Sequence, residues 1–316
     1  MNAALAKAKA SLFPFRVARA APARAPSPRG ERLPLRETPW RARLAVPILG
    51  GAHVWSDLFV VAEWRVQQHA LTGEYRLLDP AHRTRASGGW DECRALVPQG
   101  LAVPEQVTIL LHGLGCGHDL MEPMEAALRA GGLYPVNLGY ASLFRSLEQN
   151  ADALGGVLEA LADHGARSVF FVAYSLGGLV LRRALGPGAR WRSRLACGRA
   201  VLLGTPNQGC RLASLLALPQ ALRTVGPAGR AILPRQARAL PVPDFPFALI
   251  MAGQGNRRGL NPWLAGDNDG VVRVAETRLD GAEESLLVPG DHWGITRQAT
   301  VISAVARYLG GGRLAG

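Results

Sequence analysis

Several absences in the sequence limit what this protein can be. The chain contains no run of about 18 or more apolar residues, so we predict no membrane-spanning helix. It contains neither the HExxH pattern of zinc proteases nor the GxxxxGKS/T pattern of phosphate-binding loops. The four cysteines form no CxxC pair and show no metal-binding spacing with histidine; they are Cys93, Cys116, Cys197 and Cys210. We therefore expect no metal and no cofactor.

The beginning of the sequence also lacks the apolar segment that a secretory signal requires after its basic residues. We therefore expect a cytoplasmic protein whose cysteines are reduced thiols. Aromatic residues make up only 6% of the chain, whereas hydrophobic residues as a whole make up 48%. The 316 residues can thus form one large domain with a core of mainly Leu, Val and Ala.

Acidic residues are scarce in residues 1–45. This segment contains ten Lys or Arg but only two acidic residues, Glu31 and Glu37. This segment carries a net charge of +8, out of +12 for the whole chain. Its Ala/Pro/Arg composition predicts a disordered basic extension. Peripheral contact with an anionic membrane and an organelle address are the alternatives to a solvated tail without a partner. Nucleic acid is not expected, because no aromatic residue lies between residues 16 and 39 to stack on bases.

Residues 46–316 carry the signals of one folded domain, in which a segment over about 46–103 precedes the core. Beyond it, apolar strand-like segments alternate with segments of helical periodicity. This order predicts an α/β fold with a mostly parallel sheet and helices on both faces. The predicted strands are 106–111, 134–140, 168–174, 199–204, 247–253 and 284–290, and the predicted helices are 121–132, 146–165, one from about 177, and 295–309.

The interval 211–245 interrupts this alternation. It contains no clear strand, and an apolar segment over 211–223 with helical character is followed by a proline-rich passage. We interpret it as a small cap or lid insertion, in which the helix either covers a site or is an ordinary amphipathic helix of the cap.

The segment Ala173-Tyr174-Ser175-Leu176-Gly177 lies where a predicted strand must turn sharply into a helix. Such a turn holds its central side chain away from the sheet and needs small neighbours, as in the G-x-S-x-G nucleophile elbow. Alanine replaces the first glycine here. The pattern predicts Ser175 as a catalytic nucleophile, whereas a serine that only caps the helix is the structural alternative.

A nucleophilic serine needs a general base, and the base needs an acid that orients it. His292 is the only histidine after Ser175 in the chain, and it follows the last predicted strand. We therefore predict His292 as the base. For the acid we favour Asp269, which precedes a glycine, over Asp267, which could form an Asx turn. Asp291 would point away from the site if its segment is extended.

The loop after the first core strand reads "LLHGLGCGHD" over 110–119. We expect the backbone N–H groups of Leu114 and Leu176 to form an oxyanion hole. His112 is expected to brace this loop by hydrogen bonds rather than to titrate. A phosphate-binding function of the loop is the weaker alternative, because it has no GxGxxG spacing and no basic residue.

Five motifs occur in a fixed order: "LLHGLG", "AYSLGG", "LLGTPNQG", "DNDGVVRVAETRL" and "VPGDHWG". Together they resemble the α/β-hydrolase superfamily, and more narrowly its bacterial lipase- and esterase-like branch, related to triacylglycerol lipases and to GPI inositol-deacylase-like proteins. The resemblance covers about 55–310 and implies an α/β-hydrolase fold. It places the nucleophile at Ser175, the acid at Asp269, the base at His292 and the oxyanion donors at Leu114 and Leu176. It also implies that the loop 205–209 shapes the pocket.

These observations predict a serine hydrolase that cleaves carboxylic esters through an acyl-enzyme, with a small-molecule ester or a lipid as substrate. An acyltransferase or a thioesterase could use the same three side chains. A binding protein on an inactive hydrolase scaffold is the alternative from a different class.

Overall fold

A computed structural model describes residues 53–215 and 226–315 of the chain. The predicted basic extension over 1–45 lies outside the described residues, as do residues 216–223 of the predicted cap helix. Among the described residues, no helix is both long enough and apolar enough to cross a membrane.

The segment before the core forms a four-stranded antiparallel sheet with the order β1-β2-β3-β4. Its strands are β1 (Trp55–Val61), β2 (Trp64–His69), β3 (Tyr75–Leu78) and β4 (Thr84–Gly88). Ala62 and Glu63 connect the first two strands with φ angles of 48° and 66°. Two consecutive positive φ values are typical of the tight hairpin turns that match strand twist. The short helix α1 (Trp90–Ala95) follows this sheet.

The core is a six-stranded sheet in which every neighbouring pair of strands is parallel. Its order is β10-β9-β8-β7-β5-β6. The strands are β5 (Gln106–Leu111), β6 (Pro135–Leu138), β7 (Ser168–Tyr174), β8 (Ala196–Leu203), β9 (Phe247–Gly253) and β10 (Glu284–Pro289). All six coincide with predicted strands, although β6 is shorter than predicted and β8 begins three residues earlier than predicted. The prediction of a mostly parallel sheet is confirmed.

Helices cover both faces of this sheet, as predicted. On one face, α3 (Leu147–Asp163) and α4 (Leu176–Ala184) bury residues such as Leu158 and Val180 against the sheet. On the other face, α2 (Glu122–Ala130) and the C-terminal helix bury Met124 and Val305. The burial of both faces explains why the central strands are mostly apolar and lack strict alternation of apolar and polar residues.

Sequence signals at helix ends explain where two of these helices begin. Ser146 starts α3 with a capping box, because its Oγ accepts a hydrogen bond from the Gln149 N–H at 3.2 Å. The C-terminal helix spans Ala299–Leu309, so the predicted start at residue 295 is wrong. Gln298 has an extended backbone (ψ 126°), and this separates the helix from a 3₁₀ turn at Gly294–Thr296.

The described part of the interval 211–245 contains short helical segments followed by an irregular passage, and it contains no strand, as predicted. In chain order, these segments are α5 (Arg211–Leu215), α6 (Gly226–Gly229), a 3₁₀ turn (Arg230–Ile232) and α7 (Pro234–Arg238). Two further helices complete the set: the short helix α8 (Val274–Thr277) precedes β10, and α9 is the C-terminal helix described above.

Candidate active site

Ser175 lies at the carboxyl end of the central strand β7, immediately before α4. Its backbone has φ 52° and ψ −118°, a conformation that is strained for any residue other than glycine. Gly177 is required in this turn, because a Cβ there would lie 2.6 Å from the carbonyl oxygen of Leu111. Ala173 is fully buried within the strand, so this position holds one methyl group without disturbing the turn. The strained turn presents the Ser175 hydroxyl at the edge of the sheet.

His292 follows β10 and approaches Ser175 from the neighbouring loop. Its Nε2 lies 2.9 Å from Ser175 Oγ, although 117 positions separate the two residues in sequence. Its Nδ1 lies 2.6 Å from Asp269 Oδ2. The same loops are also joined through their backbones, because the His292 N–H donates to the Asp269 carbonyl oxygen at 3.0 Å. Since a carboxylate accepts hydrogen bonds, Nδ1 donates and Nε2 is left to accept the serine proton.

Three carboxylates were candidates for the acid, and the structure brings only Asp269 to the imidazole. The second oxygen of Asp269 accepts hydrogen bonds from two backbone N–H groups, at Val271 (3.0 Å) and Val272 (2.7 Å). These bonds fix the rotation of a side chain that is almost completely buried. Asp267 instead accepts the N–H groups of residues 254 and 255, whereas Asp291 accepts those of residues 293 and 294.

The loop after β5 lies against the nucleophile, as its predicted function as an oxyanion hole requires. A Cβ at Gly113 would lie 2.7 Å from the Tyr174 ring and 3.2 Å from the Ser175 Cβ. The N–H groups of Leu114 and Leu176 donate to no acceptor among the described residues, whereas the next N–H, at residue 115, donates to the Ser142 hydroxyl. Both N–H groups are thus available to a ligand beside Ser175.

His112 is fully buried behind this loop and braces it. Its Nδ1 donates to the Gly113 carbonyl oxygen at 2.9 Å, while its Nε2 accepts the Tyr140 N–H at 3.3 Å. The two rings stack at 4.0 Å, and the Tyr140 hydroxyl donates to the His112 carbonyl oxygen. Burial lowers the pKa of His112 to about 4, so the imidazole is neutral at physiological pH. This geometry agrees with the predicted bracing function.

A cavity of about 130 Å³ opens beside Ser175 and His292. Most of its lining is apolar and comes from loops at the carboxyl ends of the strands, including Leu114, Pro206, Ile232, Val271 and Trp293. Cys116 also lines it, but burial raises the pKa of this thiol to about 11. The thiol is therefore protonated at neutral pH and is a poor competing nucleophile.

A larger hollow, of about 690 Å³, lies between the antiparallel sheet and α3. Phe59, Trp90 and Asp152 are among its lining residues, and it contains no serine, cysteine or histidine. Its size alone does not make it an active site, because a hydrolytic site requires a nucleophile beside a base. Among the described residues, no group of three or more His, Cys, Asp or Glu could hold a metal ion.

Arg182 is a residue of the site region that the sequence analysis missed. It lies on α4, is almost completely buried, and donates to the carbonyl oxygens of Asn207, Leu240 and Pro241 at 3.2, 2.6 and 2.9 Å. Burial lowers its pKa to about 10, so it remains charged at neutral pH. Arg182 therefore ties the 205–209 loop to the end of the cap. An arginine within the apolar helix "LGGLVLRRAL" was the available signal.

No protein-family model and no curated protein matches the sequence. Solved structures do match. The mature form of the lipase BlEst2 from Bacillus licheniformis is 19% identical, with a TM-score of 0.54, and the match covers 67% of this chain and 96% of that one. This chain has the α/β-hydrolase fold.

The structure of the propeptide form of the same lipase is similar to this chain to nearly the same extent. It is 20% identical, with a TM-score of 0.53, and the match covers 66% of this chain and 52% of that one. The fold predicted from the five motifs is therefore confirmed. At this identity the likeness concerns the fold alone, and the functions of Ser175, Asp269, His292, Leu114 and Leu176 remain predictions that rest on the geometry described above.

Proposed function

We propose that the protein is a serine hydrolase of carboxylic esters. The observation that carries this proposal is the hydrogen-bonded chain from Ser175 Oγ to His292 Nε2 (2.9 Å) and from His292 Nδ1 to Asp269 Oδ2 (2.6 Å). This chain lies at the carboxyl ends of parallel strands, where ligands bind in open α/β sheets. The three side chains come from three separate loops, and the nucleophile, the acid and the base follow one another along the chain in the order that this fold requires.

In the proposed reaction, Ser175 Oγ attacks the acyl carbonyl carbon while His292 Nε2 takes the hydroxyl proton. The oxyanion that forms accepts hydrogen bonds from the Leu114 and Leu176 N–H groups, each worth about 3 kcal/mol in the transition state. When the tetrahedral intermediate collapses, His292 returns the proton to the leaving alcohol. Water then attacks the acyl-enzyme with the same assistance and releases the carboxylic acid. Asp269 holds the imidazole tautomer throughout.

The cavity beside Ser175 supports an acyl group as the part of the substrate that the protein binds. Its lining is mainly apolar, and it is contiguous with both the nucleophile and the base. An apolar wall favours a hydrocarbon chain, because burying each methylene contributes roughly 0.8 kcal/mol. The proposed substrates are therefore esters of aliphatic acids, including lipid esters.

Replacement of Ser175 tests this proposal. We expect Ser175→Ala to reduce turnover of a p-nitrophenyl ester by about 10³-fold or more, because the acyl-enzyme cannot form. Ser193→Ala is the matched control, since Ser193 is exposed and its hydroxyl donates only to the Arg190 carbonyl oxygen. An unchanged rate in Ser175→Ala would refute the proposal, and an equal loss in both variants would show that folding rather than chemistry was affected.

A further inference from the structure

Two tryptophans are exposed in the loops that follow β9 and β10. Trp263 is 82% exposed and Trp293 is 56% exposed, and Leu260, three residues before Trp263, is 46% exposed. Among the described residues, no other tryptophan side chain is exposed. Large aromatic surfaces normally avoid water, and when they group on a surface they indicate an interaction site.

Trp263 belongs to the segment 254–266, which connects β9 to Asp267 and which we call the tryptophan loop. This loop is held by the buried side chain of Asn268, whose Nδ2 lies 2.9–3.3 Å from four loop carbonyl oxygens. The side chain of Leu264, the next residue after Trp263, is buried and anchors the loop from within. Trp263 is therefore exposed on a loop whose conformation is held by the side chains of Asn268 and Leu264.

The tryptophan loop and Trp293 are both attached to the segment 268–270, which contains the proposed acid. On one side, the Leu260 N–H donates to the Asn268 carbonyl oxygen at 3.2 Å, and Asn261 Nδ2 donates to the Gly270 carbonyl oxygen at 3.0 Å. On the other side, His292 N–H donates to the Asp269 carbonyl oxygen. Trp293 also lines the cavity beside Ser175. Trp293 thus borders the site, and the tryptophan loop is hydrogen-bonded to the segment that carries Asp269.

The charge of the tryptophan loop is entirely positive. Arg257 and Arg258 are exposed, and residues 254–266 contain no Asp or Glu. The carboxylate of the next residue, Asp267, accepts two backbone N–H groups of the loop, at 2.7 and 2.9 Å. Beside Trp293, the exposed Asp291 also accepts two backbone N–H groups. A surface that combines two arginines with exposed tryptophans is complementary to an anionic lipid headgroup layer.

We propose that this surface, formed by Leu260, Trp263, Trp293, Arg257 and Arg258, docks the protein on an anionic phospholipid membrane. The tryptophan rings enter the headgroup region, where the apolar part of each ring contacts lipid and its N–H group contacts water or headgroups. The arginines lie at the level of the lipid phosphates. Docking of this kind brings Trp293, which lines the Ser175 cavity, to the bilayer surface. It goes beyond the proposed hydrolysis, because binding requires no reaction at Ser175.

The test is sedimentation of the full chain with vesicles of phosphatidylcholine, with and without about one third phosphatidylglycerol. A Ser175→Ala background keeps the lipids intact and separates docking from the proposed chemistry. We expect Trp263→Ala to lower the partition coefficient on anionic vesicles by at least about fivefold, since apolar area no longer leaves water. Arg257→Gln together with Arg258→Gln should lower it on anionic vesicles and leave binding to phosphatidylcholine alone unchanged.

Two controls match these changes elsewhere on the surface. Leu71→Ala removes an exposed apolar side chain from the turn between β2 and β3. Arg190→Gln with Arg313→Gln removes two exposed charges that pair with Glu159 and Glu284, near the amino ends of the strands. Residues 1–45 are present in every variant, so their positive charge contributes equally throughout. We expect the control variants to partition like the parent chain.

Two results would overturn the proposal. The first is that the loop variants partition like their matched controls. The second is that Trp263→Ala leaves vesicle binding unchanged but abolishes self-association in sedimentation velocity without lipid, which would assign the surface to a protein partner. Because Trp263 is exposed, Trp263→Ala should keep the melting temperature of the parent. Trp263→Tyr should retain more binding than Trp263→Ala, because tyrosine also favours the membrane interface.

Discussion

The two loops that follow β5 and β10 each place a buried histidine at the same edge of the sheet, and the two histidines differ in their partners. His112 contacts a carbonyl oxygen and a backbone N–H, so both ring nitrogens are satisfied by fixed groups of the protein. His292 contacts a carboxylate and a hydroxyl, and the hydroxyl carries a proton that can be transferred. The comparison shows that the groups facing each ring nitrogen distinguish a bracing histidine from a base, whereas burial does not.

The largest expected effect concerns the base. We expect His292→Ala to reduce kcat/KM for a p-nitrophenyl ester by about 10³- to 10⁴-fold, because no other described group is within hydrogen-bond distance of Ser175 Oγ to take its proton. Steady-state kinetics would measure this. His112→Gln should lose much less activity, because His112 does not contact the reacting atoms. A similar loss in both variants would contradict the distinction between the two histidines.

The assignment of the acid can be tested in the same way, by comparing Asp269 with the neighbouring carboxylate of Asp267. Asp269→Asn keeps the shape of the side chain but offers an amide that favours the wrong imidazole tautomer, so we expect a loss in kcat of about 10²- to 10⁴-fold. Asp267→Asn is the matched control, since Asp267 bonds only to backbone N–H groups. We expect it to retain most of the activity. If the control variant were the less active of the two, the acid would have been assigned to the wrong carboxylate.

The pH dependence of stability tests the environment of His112. Burial lowers its pKa from 6.5 to about 4 in the folded state, so the unfolded chain binds more protons between these values. The contribution of His112 is complete above about pH 6.5 and is lost as the pH falls towards about 4, by roughly 3 kcal/mol in total. Denaturant unfolding at several pH values would measure this. We expect His112→Gln to flatten the pH dependence in this window, and an unchanged slope would contradict the assignment.

The smallest expected effect concerns Arg182. Replacement by methionine keeps much of the side-chain volume but removes the donors to three carbonyl oxygens, so we expect a loss in unfolding free energy of about 1–3 kcal/mol. Chemical denaturation would measure it. Arg183→Met is a control on the next residue of the helix, where the side chain is partly exposed and makes only a long contact with Glu148. Equal free energies of unfolding in the two variants would show that the hydrogen bonds of Arg182 do not stabilise the fold.

The sequence predicted the fold best for strands that are buried on both faces, and it predicted the site best for residues that follow predicted strands along the chain. The parallel strands could be predicted because both faces are buried, so β5, β7 and β9 are mostly apolar and do not alternate with polar residues. Ser175 could be predicted because it follows such a strand, and His292 because it is the only histidine after Ser175 and follows the last predicted strand. The antiparallel strands over 55–88 were not assigned individually, because only β1 contains a continuous apolar run, whereas β2, β3 and β4 are short and interrupted by polar residues.

Features that depend on the folded conformation of a loop or on tertiary packing could not be predicted. Asn268 resembles any polar loop residue in the sequence, and only the folded loop shows that its amide lies within hydrogen-bond distance of four carbonyl oxygens. Trp263 and Trp191 are equally apolar, yet one is exposed and the other is buried. Such differences are set by tertiary packing, which no local pattern records.

The most direct test of the central claim is peptide mass mapping after reaction with a fluorophosphonate. The reagent forms a stable adduct only with a serine whose hydroxyl is activated by a neighbouring base. We predict one adduct, on the peptide that contains Ser175, and its loss in His292→Ala. An adduct on a different residue, or full labelling of Ser175 without His292, would contradict the account.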